Sequence, residues 1–228
     1  MLVADLASQG GPGAPAVIVT AGVHGDEPAA PWALLSLARD GLFDRDFAYR
    51  LWPCTNPSGY ILKTRESAEG IDINRSYGRG RSSPEARAML AANRDRKFLL
   101  NLDLHEDFEA DGFYCYEPKV DDAAFGSAIV QAIDDAGLPV QDLEHGYELG
   151  YPPTATHFTL ERGRVIPDAE IETTFQRGLP HSIALLRSGA AARSLTFESP
   201  LRLAWEDRIA IHRLAVVTAL ERLRLPVP

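Results

Sequence analysis

Two histidines and two glutamates of this 228-residue chain stand where apolar runs end. His24 and Glu27 follow the run Ala16–Thr20 in "AVIVTAGVHGDEPAAPW", His105 closes "KFLLNLDLH", and Glu198 closes "SLTFE". Two imidazoles and one carboxylate are a common ligand set for a catalytic Zn2+, with the fourth position left to water. A second carboxylate beside that water serves as general base. On this reading His24, Glu27 and His105 hold the metal and Glu198 handles the proton. Gly22 and Gly25 are expected to let the first turn bend until both its side chains face one point. The H-x-x-E spacing is common, and the plainer alternative makes Asp26 or Glu27 a cap for a helix over residues 31–39. In "DLHED", strand alternation puts Asp103, His105 and Asp107 on one face and Glu106 on the other. The readings open there are an acceptor behind a ligand histidine, a second metal, a contact to a substrate ammonium by Glu106 or Asp107, and a solvated turn.

These side chains need a scaffold that brings strand ends together. Ala16–Thr20, Tyr49–Cys54, Phe98–His105, "GFYCYE" and "ARSLTFES" read as strands by their apolar and β-branched content. "PWALLSLAR" (31–39), "PEARAMLAANRD" opened by Ser83 and Glu85, Asp121–Ala136, and the amphipathic "LAWEDRIAIHRLAVVTALERLR" read as helices. Strands separated by helices predict an α/β fold with a mostly parallel or mixed sheet and helices on both faces. Ligands gather at strand ends in such sheets. The segment from Thr55 to Glu85 is rich in Gly, Ser, Asn and Arg and too long for an idle connection. Residues 141–180 show no clean period.

At 228 residues and 45% hydrophobic content, one domain over 1–228 is expected. The net charge of −9 speaks against a nucleic-acid partner, since phosphate binding needs clustered Lys and Arg. No run reaches the roughly 18 apolar residues of a membrane span. "MLVADLASQG" lacks the features of a signal peptide, and two cysteines without a CxxC pattern, Cys54 and Cys115, fit a reducing, cytoplasmic setting. Oligomeric state is left open. Trp32, Trp52 and Trp205 are expected in the core, and His212 as a packed or surface residue of the last helix. His145, His157 and His181 match no motif; the first two fall where they can line a cleft.

Taken in order, "NPSGY", "KTRESAEGIDINRSYG", "LDLHED" and "LTFES" resemble the zinc metallocarboxypeptidases of the carboxypeptidase A type and their relatives, the succinylglutamate desuccinylases and aspartoacylases. That family shows an H-G-x-E turn, an N-P-D-G segment, an R-x-N-x-x-G-x-D-L-N-R segment, a strand-ending histidine and a late strand-ending glutamate. The resemblance runs from about Val17 to Pro200. It implies a three-layer α/β/α domain with a mixed, mostly parallel twisted sheet. It implies Zn2+ on His24, Glu27 and His105, Glu198 as base and then proton donor, and Arg65 polarising the scissile carbonyl. Asn74 and Arg75 would clamp a substrate carboxylate, for which a planar bidentate guanidinium is suited as an ammonium is not. Asp72 is either structural or direct in its role. Ser67 replaces the family's Asn, Ser76 follows Arg75 where many members have a second Asn, and Phe175 and Gln176 stand where a loop tyrosine is expected, with Tyr147 and Tyr151 earlier. The implied activity is zinc-dependent cleavage of an amide bond next to a free carboxylate in a short peptide. The alternative is hydrolysis of an N-acyl amino acid, which the compact length favours. A metal-binding scaffold without catalysis is the third reading, opposed by the intact set of reactive residues.

Overall fold

The apolar runs pair into one eight-stranded mixed sheet. The computed structural model describes residues 1–11, 13–43, 46–78, 82–119, 125–143, 158–167 and 178–225. The strands are β1 (Ala4–Leu6), β2 (Ala16–Ala21), β3 (Ala48–Trp52), β4 (Phe98–Asp107), β5 (Tyr114–Tyr116), β6 (Phe158–Glu161), β7 (Arg164–Pro167) and β8 (Ala191–Pro200). Their order across the sheet is β1-β3-β2-β4-β8-β5-β7-β6. The β3-β2-β4-β8 centre is parallel, as is β5 with β7, while β1, β5 against β8, and β6 against β7 are antiparallel.

Among the described residues six helices cover both faces: α1 (Ala29–Arg39), α2 (Pro57–Leu62), α3 (Pro84–Asn93), α4 (Phe125–Asp135), α5 (His181–Arg187) and α6 (Trp205–Arg224). The layers follow from the period-two alternation of the central strands. Val17, Val19, Leu100, Leu102, Leu195 and Phe197 face Leu34 and Leu37 of α1, Ile129 and Ile133 of α4, and the stripe Ile211, Ala215, Val216 and Ala219 of α6. Ile18 and Trp52 turn the other way, toward Ala86 and Met89 of α3 and Leu185 of α5. Thr20, Asn101, Asp103 and Ser194 lie buried in the same central strands.

Several expectations are adjusted. Helix α1 begins at Ala29 rather than residue 31, behind Pro28, and no side chain of the preceding turn caps it. The segment after Thr55 holds two short elements, α2 and a 3-10 turn at Ile73–Arg75. Trp52 is buried, but Trp32 is 52% exposed, its indole N–H donating to Tyr60 Oη at 2.9 Å. Trp205 is exposed at the start of α6 beneath the Arg208 guanidinium. His212 is fully buried, and Cys54 and Cys115 are both free thiols. Among the described residues no helix is long and apolar enough to cross a membrane. His145, Tyr147, Tyr151, His157, Phe175 and Gln176 lie outside the described residues.

Candidate metal centre and cleft

Three adjacent parallel strands end at one place. β2 runs into the turn bearing His24 and Glu27; β4 carries His105; β8 carries Glu198, directly opposite His105 in the strand register. This is also where the order of connection reverses, β2 passing through α1 to β3 on one side while β4 lies on the other, the usual place for a ligand in an open α/β sheet.

Gly22, at φ +61°, supplies the left-handed bend leaving β2. Gly25 acts differently: a Cβ there would lie 1.9 Å from the carbonyl carbon of Gly59, so it permits close approach of the turn to α2 rather than an unusual dihedral. The Gly25 N–H also donates to Thr64 O at 3.0 Å. Asn56 caps α2 by accepting from Gly59 N–H at 2.9 Å, with Pro57 next in the helix. "NPSG" thus builds the short helix on which the metal-site turn rests.

His24, Glu27 and His105 are all buried, and each offers a donor atom within 4.8 Å of the others. His105 Nδ1 lies 2.8 Å from Glu27 Oε2 and 3.2 Å from His24 Nδ1, while His24 Nδ1 contacts Glu27 Oε1. Two Nδ1 nitrogens at 3.2 Å can share a proton between them, or, with both lone pairs free, turn together to a shared cation. The set fits Zn2+, which takes His nitrogen and carboxylate oxygen ligands at such tetrahedral sites. Burial would raise the Glu27 pKa, but the two imidazoles outweigh it and hold the carboxyl well below the usual carboxylate range. Burial also opposes charge on His105, yet Glu27 and Asp103 raise its pKa well above the ordinary value.

The capping alternative is displaced. Glu27 faces the histidines, and the Ala29 N–H of α1 is taken instead by Glu106 Oε2 at 2.8 Å. Glu106 also receives Arg208 Nε at 2.6 Å and the Ser199 hydroxyl at 3.4 Å and is 5% exposed, so it is neither a solvated turn residue nor free for a substrate ammonium. Asp107 accepts from Tyr114 Oη and from Glu109 N–H, both at 2.7 Å.

Arg65 donates from Nε and Nη2 to Asp72 Oδ2 at 3.1 and 3.0 Å, which leaves Nη1 3.3 Å from His24 Nδ1. Asp72 Oδ1 lies 3.4 Å from His24 Nε2, so this aspartate faces the arginine and the back of the histidine together. Burial would raise Asp72, but His24 and Arg65 bring it well below the usual range. Asn74 Oδ1 accepts the main-chain N–H of His181 at 3.0 Å, and Arg75 Nη1 donates to Asn74 O at 2.9 Å. Glu198 is half-buried. Desolvation pushes its carboxyl well above the ordinary value; His105 pulls it back, and Glu27 and Asp107 push it further up.

A cleft of about 400 Å3 opens over the site, lined by His24, Glu27, Arg65, Asn74, Arg75 and Glu198. Asp26, read from the sequence only as a candidate helix cap, also lines it, as do Tyr114, Tyr116, Phe158, Thr196 and Ser182, which the sequence did not single out. Alternation in "GFYCYE" was the available signal for the two tyrosines; Tyr114 pairs with Glu198 across the sheet. His181, which matched no motif, lies behind the cleft with its ring against Tyr77.

No family model and no curated protein matches the chain. Solved structures do. A Shewanella amazonensis protein assigned as a metallopeptidase superposes with a TM-score of 0.75 at 23% identity, over 96% of this chain and 80% of that one. A metallo-carboxypeptidase of Burkholderia cenocepacia gives 0.67 at 17% identity, over 97% and 60%. The cell shape determinant Csd4 of Helicobacter pylori gives 0.68 at 14% identity, over 99% of this chain and 56% of that one, and Csd4 is also known with a tripeptide bound. The chain therefore has the fold of zinc-carboxypeptidase-like proteins, a mixed sheet between helical layers.

Proposed function

We propose that this chain is a zinc-dependent metallocarboxypeptidase-type hydrolase that cleaves an amide bond next to a free carboxylate in a short peptide. The observation that carries it is the meeting of His24, Glu27 and His105 within 4.8 Å, in a cleft that also exposes Glu198, Arg65, Asn74 and Arg75. The fold shared with metallopeptidases and the tripeptide held by Csd4 support a peptide substrate.

Bound Zn2+ supplies Lewis acidity that brings the pKa of water from about 15.7 to about 7. The chain's own residues do the rest. Arg75, with the Asn74 amide, receives the terminal carboxylate, and the His181 N–H fixes that amide by its oxygen. Glu198 takes a proton from the attacking water and gives it to the departing nitrogen. Arg65, anchored on Asp72, has Nη1 left to meet the negative charge that develops on the carbonyl oxygen.

Purified protein, stripped with a chelator and reloaded with Zn2+, should lose and regain hydrolysis of di- and tripeptides with free C-termini. Full activity in metal-free protein overturns the mechanism. Turnover confined to N-succinyl or N-acetyl amino acids overturns the peptide assignment in favour of an N-acyl amino acid amidohydrolase.

A further inference from the structure

Asp103 is fully buried in the central strand of the sheet. A carboxylate in such a place costs several kcal/mol unless something compensates it. Beyond two imidazole contacts, neither of its oxygens meets a hydrogen-bond donor among the described residues. His105 Nε2 lies 3.5 Å from Oδ1, somewhat longer than an ordinary N–H···O hydrogen bond, so a small side-chain shift would close it. His181 Nδ1 lies 4.0 Å from Oδ2, beyond direct hydrogen-bonding distance. Thr20 and Thr196, its cross-strand neighbours on either side, carry no charge to offset it.

The other contact of His105 Nε2 sharpens the point. Asn74 Nδ2 stands 3.4 Å away, but Asn74 Oδ1 is committed to the His181 N–H, so the group facing the ring is an amide donor. With Nδ1 turned to Glu27 and the metal position, a neutral imidazole carries its proton on Nε2. A proton there cannot be received by the Asn74 NH2. The acceptor in reach is Asp103.

We infer that Asp103 is a positioning residue that receives the Nε2–H of His105 from behind, fixing the tautomer and ring orientation that turn Nδ1 to the metal. The inference rests on the zinc reading above. It also gives the buried carboxylate its compensation, since it would accept a hydrogen bond from an imidazole N–H polarised by a dication held at Nδ1. Loss of such a partner behind a ligand histidine costs typically about 10- to 100-fold in metal affinity. Asp72 stands in the corresponding place behind His24, so both ligand imidazoles have a carboxylate at their back.

The test is Zn2+ affinity, measured on the full chain by competition with a chromophoric chelator, for wild type, Asp103→Asn, Asp103→Ala and Thr20→Val. Asp103→Ala should bind Zn2+ about 10- to 100-fold more weakly, Asp103→Asn should fall between it and wild type, and Thr20→Val, altering the same buried row without facing His105, should match wild type. An Asp103→Ala affinity within twofold of wild type overturns the inference, as does an equal loss in Thr20→Val. If the Asp103 variants do not fold, proton NMR of wild-type, zinc-loaded protein decides. The His105 Nε2–H should resonate far downfield with a carboxylate acceptor, and a signal at the position of an imidazole without one overturns the assignment. Failure of wild type to bind Zn2+ overturns the zinc reading itself, which is a different result from wild-type binding with indifferent variants.

Discussion

Glu198 and Glu27 differ by environment rather than by chemistry. Glu27 lies between two imidazoles that favour its charge. Glu198 lies one strand away with Glu27 and Asp107 as charged neighbours, and desolvation works against its ionisation. The first suits a ligand and the second a group that takes up and releases a proton. Glu198→Gln keeps the size and removes the base, so kcat should fall by about 10²- to 10⁴-fold while zinc binding is retained. Steady-state kinetics with metal stoichiometry on the same sample checks this; loss of the metal would mean that ligand and base have been exchanged. Both glutamates were legible in the sequence because each follows an apolar strand. Asp103 was visible only as one of several readings of "DLHED", since charge in a strand end does not say which neighbour faces it. The His181 contact to Asn74 was not legible at all: a main-chain N–H joins residues more than a hundred positions apart.

Strands β2, β3, β4, β5 and β8, and the helices of ten residues or more, announced themselves through periodicity, and their bounds moved by only a few residues; β1, β6 and β7, of three or four residues each, did not. Nor did the short helices. Helix α2 has six residues and one buried position, Gly59, so no apolar stripe marks it, and its sequence reads as a loop. Its role is nevertheless strict, because the backbone of the metal-site turn packs against its backbone. Gly25→Ala puts a methyl group into the Gly59 peptide, and the rigid partner cannot swing aside as a side chain would. Overpacking costs about 1–3 kcal/mol, and this backbone clash belongs at the upper end, about 2–3 kcal/mol. For a chain of this length that is a Tm lower by roughly 4–12 °C, together with weaker Zn2+ binding as His24 and Glu27 are displaced. Gly10→Ala, whose added Cβ would meet nothing closer than 3.4 Å, should leave both nearly unchanged. Thermal melts and chelator competition on the two variants check the contrast; equal behaviour would mean that α2 yields and that the close approach does not hold the turn.

Across the whole molecule the two sheet faces are unlike. One is almost wholly apolar beneath α1, α4 and α6, and the other carries the polar residues that lead to the site. On the apolar side His212 of α6 is fully buried with neither ring nitrogen hydrogen-bonded among the described residues. Desolvation lowers its pKa to about 3 from an ordinary value of 6.5; Glu27 favours the charged ring, while His105 and Arg208 oppose it. The sign follows from which state binds the proton. Between pH 6.5 and 3 the unfolded chain protonates this histidine and the folded chain does not, so stability is whole above pH 6.5 and declines as the pH falls toward 3. Protonation of the unfolded state alone removes about 2 kcal/mol by pH 5. Other groups add to the pH dependence, among them Glu198 and His105 at the metal site, both shifted upward in the fold, so the comparison must cancel them. His212→Leu, which cannot ionise, should lose about 2 kcal/mol less than wild type between pH 7 and pH 5 when both are unfolded in urea without metal. Parallel stability curves for the two proteins would show that the buried imidazole takes up its proton in the folded state as readily as in the unfolded one, and the acid sensitivity of the fold would then have to originate at the metal site.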